Sequence, residues 1–471
     1  MQTTVLDVSD PAKPAQLEKT IADGTYVSSR LIGERLYVIT SYWADLGMPK
    51  VSTDPQTGEM RYETEDAYRR RALEAAGDWL PRTVVQTADG QSVLNVLNVG
   101  GRVLRPNHIT TSNLLSVEAF DLTDDQGGPA ACTTFVGASG EVYASADSLY
   151  IAVQDWRAGA TDLYKLDLTG QDIPLVATGS IPGYIPNPFC MDEQDGSFRA
   201  VAQVGLPAVV PLGGERPDAI LPMAGTAVFN LVQVEDRLQV NGVVGGIATG
   251  EQIRAARFIG DTVYVVTFRQ VDPLFIIDLS VPTAPVVAGE LELPGFSGYL
   301  HPLDEGHLIG LGMEGDDAGR LIGAQVSLFD VTDPAAPRRL DAYSLGDWLW
   351  PEGMNDHHAF GYYSEYQTLA IPLGQTLEVL TVSVEDGLEY VGSIKHADAV
   401  RRSVRIGSFL YSISAAQVNV CPIDQPGTIV DSVDLPGSGG VVWPAPWAPV
   451  PVPQPIILPS PLDAGDLVRI F

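Results

Sequence analysis

The chain has 471 residues, of which 45% are hydrophobic and 18% charged, a composition typical of globular rather than disordered proteins. It has 59 acidic and 28 basic residues, which gives a formal net charge of −31. Such a surface repels nucleic-acid phosphates and anionic membranes, so we expect neither as a partner. No apolar stretch approaches the roughly 18 residues of a membrane span, so we expect no membrane insertion.

The first copy of a repeated unit opens the chain: an apolar-alternating strand, the turn motif D-[LV]-[ST]-x-P-x-x-P, and a second short strand. Clear copies are Val5–Leu17, Ile276–Leu291 and Leu328–Leu340. Weaker copies are Ala119–Ala130, Tyr164–Val176, Phe229–Gly242, Val382–Gly392 and Val418–Leu435. The motif predicts a turn, because Asp followed by Ser or Thr forms side-chain to backbone hydrogen bonds, while Pro fixes φ and ends the strand pairing.

A second unit, a hairpin with a Gly or Asp turn, alternates with the first. Its copies are Tyr26–Thr40, Val142–Val153, Phe189–Val204, Ile253–Thr267, Tyr299–Gly312, His358–Leu373 and Arg402–Ser414. Two alternating hairpins make a four-stranded blade, and a repeat of about 40 to 60 residues is typical of β-propellers. The sequence therefore predicts an all-β fold, a propeller of seven to eight four-stranded antiparallel blades.

The predicted propeller occupies residues 1–436. Because the chain opens in an outer hairpin, we expect the inner strands of that blade to come from upstream sequence or from the carboxy-terminal segment. The Pro-rich segment 437–471 predicts an extended tail, which could pack on the propeller as a strap, act as a spacer, or bind an aromatic groove.

An insertion at residues 43–112 interrupts the repeats. Within it, Thr64–Gly77 predicts a helix, because Thr64 can cap its amino terminus, acidic residues follow, and Gly77 can end it. The insertion is expected either to project as a loop from one propeller face or to cover a blade edge.

The cysteines Cys132, Cys190 and Cys421 lie far apart and form no CxxC pair. This spacing argues against a common zinc site and against a disulfide framework. A single long-range disulfide remains open, but we expect buried free thiols. Residues Met1–Val8 carry no basic segment followed by an apolar core, so no secretion signal is visible.

Five segments carry a resemblance to a known family: Thr25–Gly33, Ser180–Ala200, Ala256–Ser280, Gly295–Gly312 and Asp356–Leu373. With the repeats, they make the chain resemble secreted bacterial and archaeal proteins with a carboxy-terminal β-propeller domain, nearly to Pro436. The resemblance implies the fold and a secreted, periplasmic or cell-surface location. It implies no reaction and no catalytic residues. Members also carry an exported amino-terminal region and further strands ahead of the matched part.

The familiar catalytic motifs GxSxG, HExxH, the P-loop and the Rossmann glycine fingerprint do not occur. Propeller sites instead assemble from separate blades at the central channel. Alignment of the hairpins on their turns places six candidate ligand-binding residues on the innermost strands: Arg30, Tyr143, Arg257, His301, His358 and Arg402. Such a ring would suit a carboxylate, phosphate or sugar-acid ligand. Alternatively, these residues pair with neighbouring carboxylates and only satisfy buried strand ends.

Several histidines near turns are candidate metal ligands. His301 and His307 flank one turn, and His357 and His358 follow Asp356 one blade later. Imidazole with carboxylate can bind zinc, copper or iron. Because adjacent residues of a strand point to opposite faces, we do not expect His357 and His358 to share an ion. Structural hydrogen bonding is the favoured interpretation.

The segment Met191–Gly196, MDEQDG, superficially resembles a calcium loop but lacks the spacing and the trailing Glu of one. A tight hairpin turn is the better interpretation. We therefore expect no cofactor, with calcium or a transition metal as the minor alternative.

The sequence favours a binding or scaffolding module without catalytic activity, with a protein or polysaccharide partner outside the cytoplasm. One alternative is a hydrolase or lyase at the channel mouth, with or without a metal ion. The other is a structural subunit of a cell-envelope assembly that docks through the Pro-rich tail.

Overall fold

The computed structural model describes residues 1–435 apart from short gaps. The residues outside the description are 11, 45–46, 75–80, 88–91, 97–101, 107–110, 124–126, 214–215, 222–223, 270–271, 317, 348 and 436–471. The predictions for the Pro-rich tail therefore fall outside the described residues. Within the description, no helix has the length and apolar character needed to cross a membrane.

The chain opens with two antiparallel hairpins. These are β1 (Gln2–Asp7) with β2 (Ala15–Ala22), and β3 (Thr25–Ile32) with β4 (Arg35–Trp43). Among the described residues β1 pairs only with β2, so it is an edge strand of its sheet. The prediction that the chain opens in an outer hairpin stays a prediction.

The insertion follows β4 and in its described residues holds one helix and five short strands. They are β5 (Val51–Thr53), β6 (Met60–Tyr62), α1 (Glu65–Glu74), β7 (Arg82–Thr87), β8 (Ser92–Val96) and β9 (Arg102–Leu104). The outer hairpin of the first blade comes next, as β10 (Asn113–Asp121) and β11 (Ala131–Val136). Strand β7 pairs with β2, and β9 pairs in parallel with β11. The insertion thus covers the outer edges of two sheets, which would otherwise expose unpaired backbone groups.

Helix α1 begins where the sequence predicts. Thr64 accepts a hydrogen bond from the backbone N of Ala67 at 3.3 Å, and Glu65 and Asp66 stand in the first turn. The helix extends to Glu74 in the described residues, and the predicted stop at Gly77 lies outside them.

Blade 1 consists of β3, β4, β10 and β11. Six further four-stranded blades follow in the described chain. Blade 2 contains β12 (Gly140–Ala144), β13 (Ser148–Asp155), β14 (Ala160–Asp167) and β15 (Leu175–Pro182), and blade 3 contains β16 (Met191–Gln194), β17 (Ser197–Val204), β20 (Gly225–Val234) and β21 (Arg237–Ile247), with a small extra hairpin of β18 (Ala208–Val210) and β19 (Ala219–Leu221) between β17 and β20. Blade 4 contains β22 (Gln252–Ile259), β23 (Thr262–Phe268), β24 (Asp272–Asp278) and β25 (Val286–Leu293), and blade 5 contains β26 (Gly295–Pro302), β27 (His307–Gly315), β28 (Leu321–Asp330) and β29 (Arg338–Asp347). Blade 6 contains β30 (Gly361–Tyr363), β31 (Thr368–Leu373), β32 (Thr376–Ser383) and β33 (Gly387–Lys395), and blade 7 contains β34 (Val400–Ile406), β35 (Phe409–Ser414), β36 (Gln417–Pro422) and β37 (Asp431–Asp434).

The blades pack face to face, and their middle strands are buried on both faces. All six residues of β31 are buried, and so are the first six of β13. This burial explains why these strands appear in the sequence as continuous apolar runs rather than as an alternating pattern. The architecture is a β-propeller, as predicted.

The repeated turn motif forms the hydrogen bonds that its sequence predicts. In five copies the Asp Oδ1 accepts from the backbone N two residues later, at 2.8–3.0 Å: Asp7–Ser9, Asp121–Thr123, Asp167–Thr169, Asp278–Ser280 and Asp330–Thr332. The prediction of an Asp-initiated turn is confirmed.

Candidate functional site

The inner strands converge on a cavity of about 250 Å³. Its lining residues come from blades 1, 2, 3 and 4 and from the segment that precedes β30 of blade 6: Arg30, Tyr143, Ala144, Pro188, Phe189, Met191, Asp192, Arg257, Phe258 and His357. Because residues from blades far apart along the chain meet here, we call this space the channel cavity.

Two arginines give the channel cavity its positive charge. Arg30 lies near the end of β3 and donates from Nη1 to Ser28 Oγ at 2.8 Å and to the Ser29 carbonyl at 2.7 Å. Arg257 lies near the end of β22, with its guanidinium carbon 5.1 Å from the ring centroid of Phe189. In the part of the chain that the structure describes, neither arginine forms an ion pair. Their charges are therefore not neutralised by an ion pair with any carboxylate of the described residues.

One carboxylate stands among the described lining residues, that of Asp192. It accepts hydrogen bonds from Nε of Arg199 at 2.8 Å and also from Nη2. Arg199 has a side chain only 5% exposed, and its Nη1 donates to the Gly260 carbonyl at 2.8 Å. Because Arg199 already neutralises Asp192, the positive charge of the cavity is largely retained.

The hydroxyl of Tyr143 provides a neutral polar group in the same lining. It accepts a hydrogen bond from the backbone N of Glu193 at 3.0 Å and donates a long one to Oδ1 of Asp192 at 3.4 Å. Burial, with the nearby Asp192 charge, raises the pKa of Tyr143 to about 12. The phenol therefore stays protonated at neutral pH, and its proton can turn from the long bond to Asp192 toward a ligand.

Behind Tyr143, Glu193 forms the centre of a buried polar network. Its carboxylate accepts hydrogen bonds from Ser145 Oγ at 2.5 Å, Tyr150 OH at 2.6 Å and Lys165 Nζ at 3.1 Å. Burial by itself raises the pKa of Glu193, but these hydrogen bonds outweigh it and lower the pKa below its ordinary value. The network holds β16 against blade 2.

Sequence reasoning missed this network. Asp192 and Glu193 are adjacent in β16, so they point to opposite faces, and one of the two acids must enter the interface between blades. A buried carboxylate needs partners. The alternation of side chains along β16 could therefore have predicted a buried carboxylate, although it does not identify Tyr150 and Lys165 as the partners of Glu193.

His357, rather than the predicted His358, lines the channel cavity. Residues His357–Ala359 form a short 3-10 helix, where Asp356 accepts a hydrogen bond from the backbone N of His358. The hairpin alignment assumed a strand from His358 onward, whereas the inner strand β30 begins only at Gly361. His358 is exposed.

Burial and several nearby charges lower the pKa of His357. Burial has the largest effect, followed by His358, and Arg30 and Arg257 also lower it, whereas Asp356 raises it; the result is about 4. The imidazole is therefore neutral at neutral pH. Both arginines line the same cavity as His357.

His301 lies near this site without lining the cavity. Its ring centroid is 5.0 Å from that of Phe360 and 5.6 Å from that of Tyr362. Burial, with the charge of Arg257, lowers the pKa of His301 to about 4. It therefore packs as a neutral ring between blades 5 and 6.

Arg402 forms an ion pair instead of facing the cavity. Its Nη2 lies 3.3 Å from Oδ2 of Asp356, and both side chains are at least 40% exposed. Of the six predicted residues, the structure thus brings Arg30, Tyr143 and Arg257 together. The ligand-binding role of the six stays a prediction.

A possible metal group lies beside the channel cavity. Asp356, His357 and His358 each offer a ligand atom, and these atoms lie within 4.8 Å of one another. The argument that His357 and His358 point to opposite faces of a strand is wrong, because both lie in the 3-10 helix with ring centroids 4.0 Å apart. The charges of Arg30 and Arg257 nevertheless disfavour a cation here. His307 is separate, and its Nδ1 lies 2.8 Å from Asp304.

The MDEQDG segment forms a hairpin, as the sequence predicts. Strand β16 ends at Gln194, and Asp195 (φ 50°) and Gly196 (φ 75°) form the turn. Two successive residues with positive φ are typical of a tight hairpin turn.

Comparison with known proteins identifies the family. The model of the family described as Beta propeller domain matches residues 1–425. An uncharacterized protein of Methanocaldococcus jannaschii is 33% identical over 260 residues, which cover 55% of this chain and 38% of that protein. One of Archaeoglobus fulgidus is 33% identical over 263 residues, with the same two coverages of 55% and 38%. The chain thus spans well under half the length of these relatives.

Among solved structures, Sqt1 of Chaetomium thermophilum bound to the N-terminus of a ribosomal protein aligns with a TM-score of 0.44 and 11% identity, over 69% of this chain and 82% of that one. A protein from Lactobacillus plantarum aligns with a TM-score of 0.41 and 11% identity, over 75% and 91%. The family model covers most of the chain, and its repeats form the blades described above. The chain belongs to the Beta propeller domain family.

Proposed function

We propose that the chain is a ligand-binding β-propeller whose channel cavity holds an anionic group of a protein or polysaccharide partner outside the cytoplasm. The observation that carries this proposal is the pair Arg30 and Arg257, which face one cavity without ion-pair partners in the described chain. An uncompensated guanidinium pair in a protein with a net charge of −31 fits a carboxylate or phosphate, which arginine binds through two parallel hydrogen bonds.

The other lining groups fit the same ligand. The protonated hydroxyl of Tyr143 can donate a hydrogen bond, and the ring of Phe189 can pack against the face of a sugar or another ring. A volume of about 250 Å³ lies just below the roughly 300–1,000 Å³ of drug-sized ligand sites. The cavity therefore suits one anionic group or one sugar acid of a larger partner.

Direct binding tests the proposal. The probes are D-galacturonate and inorganic phosphate, measured by calorimetry on the wild type, Arg30→Gln, Arg257→Gln and the double variant. Since a hydrogen bond to a charged group contributes about 1.5–3 kcal/mol, each substitution should weaken binding about tenfold or more. Arg269→Gln is the matched control, because Arg269 is exposed at the end of β23 and lines no described cavity.

Unchanged affinity in the double variant would overturn the proposed site. Equal binding of the uncharged methyl galactoside would show that charge does not drive recognition. The location outside the cytoplasm is tested by fractionating source cells and detecting the protein with an antibody. A pull-down from the envelope fraction, with the double variant as control, identifies the partner.

A further inference from the structure

A second and larger cavity, about 590 Å³ in volume, lies at the outer rim of the propeller. Its lining residues come from blades 2 and 3 and from the insertion: Arg105, Pro106, Asp162, Tyr164, Leu175, Thr178, Gly179, Ser180, Arg237, Leu238 and Gln239. We call it the rim groove. It shares no lining residue with the channel cavity.

The floor of the rim groove is fixed by contact between the outer strands of two blades. Thr178 of β15 pairs in parallel with Arg237 of β21, and the Thr178 backbone N donates to the Asp236 carbonyl at 3.0 Å. A Cβ atom on Gly179 would lie 2.7 Å from both Cβ and the carbonyl oxygen of Leu238. Glycine at this position therefore allows the two outer strands to approach, and the groove forms along their junction.

Two arginines give the rim groove its charge. Arg105 follows β9, the insertion strand that pairs with β11 of blade 1, and Arg237 begins β21. Both are exposed, and neither forms an ion pair in the described residues. Asp162 is the one carboxylate among the described lining residues. The groove thus carries two guanidinium groups against one carboxylate in a strongly acidic protein.

The remaining lining is amphipathic. Hydroxyl and amide groups come from Tyr164, Thr178, Ser180 and Gln239, and apolar surface comes from Pro106, Leu175 and Leu238. Burial, with the nearby Asp162, raises the pKa of Tyr164 to about 12, so its phenol stays protonated. A sugar ring matches this pattern, because it presents C–H groups to apolar surface and hydroxyls to polar side chains. The volume falls in the roughly 300–1,000 Å³ range of ligand sites and exceeds what a single small anion fills.

We propose that the rim groove binds an acidic oligosaccharide, with Arg105 and Arg237 holding its carboxylates and the apolar floor contacting its sugar rings. The guanidinium groups supply hydrogen bonds and charge. The amide of Gln239 can both accept and donate hydrogen bonds to sugar hydroxyls. The site is independent of the channel cavity and extends recognition to a second surface of the propeller.

Titration with trigalacturonate tests the proposal, using NMR or calorimetry on the full chain. The variants are Arg105→Gln, Arg237→Gln and the double variant, with Arg269→Gln as the matched charge control. When the channel arginines are also replaced, so that only the rim groove can bind, we expect the rim double variant to lose at least about tenfold in affinity, because each arginine supplies a charge-assisted contact. The control should bind as the wild type does, and circular dichroism with thermal unfolding verifies that every variant is folded.

The channel variants separate this proposal from the previous one. Because trigalacturonate can also occupy the channel cavity, the rim variants are measured in the Arg30→Gln/Arg257→Gln background as well. Trigalacturonate binding that survives in this background and disappears when Arg105 and Arg237 are replaced supports the rim groove. Absence of binding in this background, or binding that the rim substitutions leave unchanged, overturns it. Equal affinity for maltotriose, or full displacement by equimolar inorganic phosphate, also overturns it.

Discussion

A Cβ atom on Gly289 would lie 2.1 Å from the carbonyl oxygen of Pro334. Gly289 is in β25, the outer strand of blade 4, and Pro334 belongs to the turn motif of blade 5. Gly242 and Pro282 repeat this relationship between blades 3 and 4, again at 2.1 Å. The proline turn of one blade therefore packs directly against the backbone of the preceding blade, where only glycine leaves enough space.

We expect Gly289→Ala to destabilise the propeller by about 1–3 kcal/mol, the usual cost of overpacking a tight contact. The added methyl would force the outer strand of blade 4 away from the turn of blade 5. Urea unfolding followed by circular dichroism measures the loss. Gly205→Ala is the control, since a Cβ at Gly205 meets nothing within 4 Å. Equal stability of the two variants would contradict the close packing.

The turn motif separates the contacts that local sequence predicts from those that it does not. Asp278 and Ser280 are two residues apart, so their hydrogen bond follows from sequence alone. The packing of Pro282 on Gly242 joins two blades, and no local rule predicts it. Sequence periodicity thus predicted the blades and their turns, whereas the contacts between blades depend on the radial arrangement.

The same distinction applies to the channel cavity. Arg30 and Arg257 lie in inner strands that pair regularly from the arginine to the hairpin turn, so alignment on the hairpin turns placed them in the cavity. His357 lies in a 3-10 helix that interrupts the repeat ahead of β30, and alignment selected its neighbour instead. The pairing of Asp192 with Arg199 follows from the register of the predicted hairpin, whereas the pairing of Arg402 with Asp356 joins two blades and becomes visible only in the folded chain.

We expect Glu193→Gln to destabilise the chain by about 3–5 kcal/mol, the typical cost of removing one member of a buried ion pair. The substitution leaves Lys165, whose side chain is 13% exposed, without its carboxylate. Chemical unfolding at pH 7 measures the loss. Ser148→Ala is a milder comparison, because its hydroxyl contributes only a 3.3 Å contact to Glu193. A loss below about 1 kcal/mol, the range of exposed pairs, would contradict a buried network.

The three cysteines should be unreactive in the native protein. The thiols of Cys132, Cys190 and Cys421 are buried and outside any disulfide, as predicted. Burial raises the pKa of Cys190 to about 12 and that of Cys421 to about 11. Only the thiolate reacts with disulfide reagents. We expect no thiol to react with Ellman's reagent at pH 8 in the native state, and three to react in guanidinium chloride. A thiol that reacts quickly without denaturant would contradict this burial.

Anion binding in the channel cavity should strengthen as the pH falls from 7 to 5. The pKa of His357 is about 4 in the free protein, because burial, His358 and the two arginines disfavour its charged form. A bound anion adds negative charge, raises that pKa and favours uptake of a proton, so affinity increases toward lower pH. Sulfate is a suitable probe because it stays ionised over this range. In His357→Gln the pH dependence should disappear while binding at pH 7 changes little. A wild-type affinity that stays constant between pH 7 and pH 5 would show that His357 does not sense the bound anion.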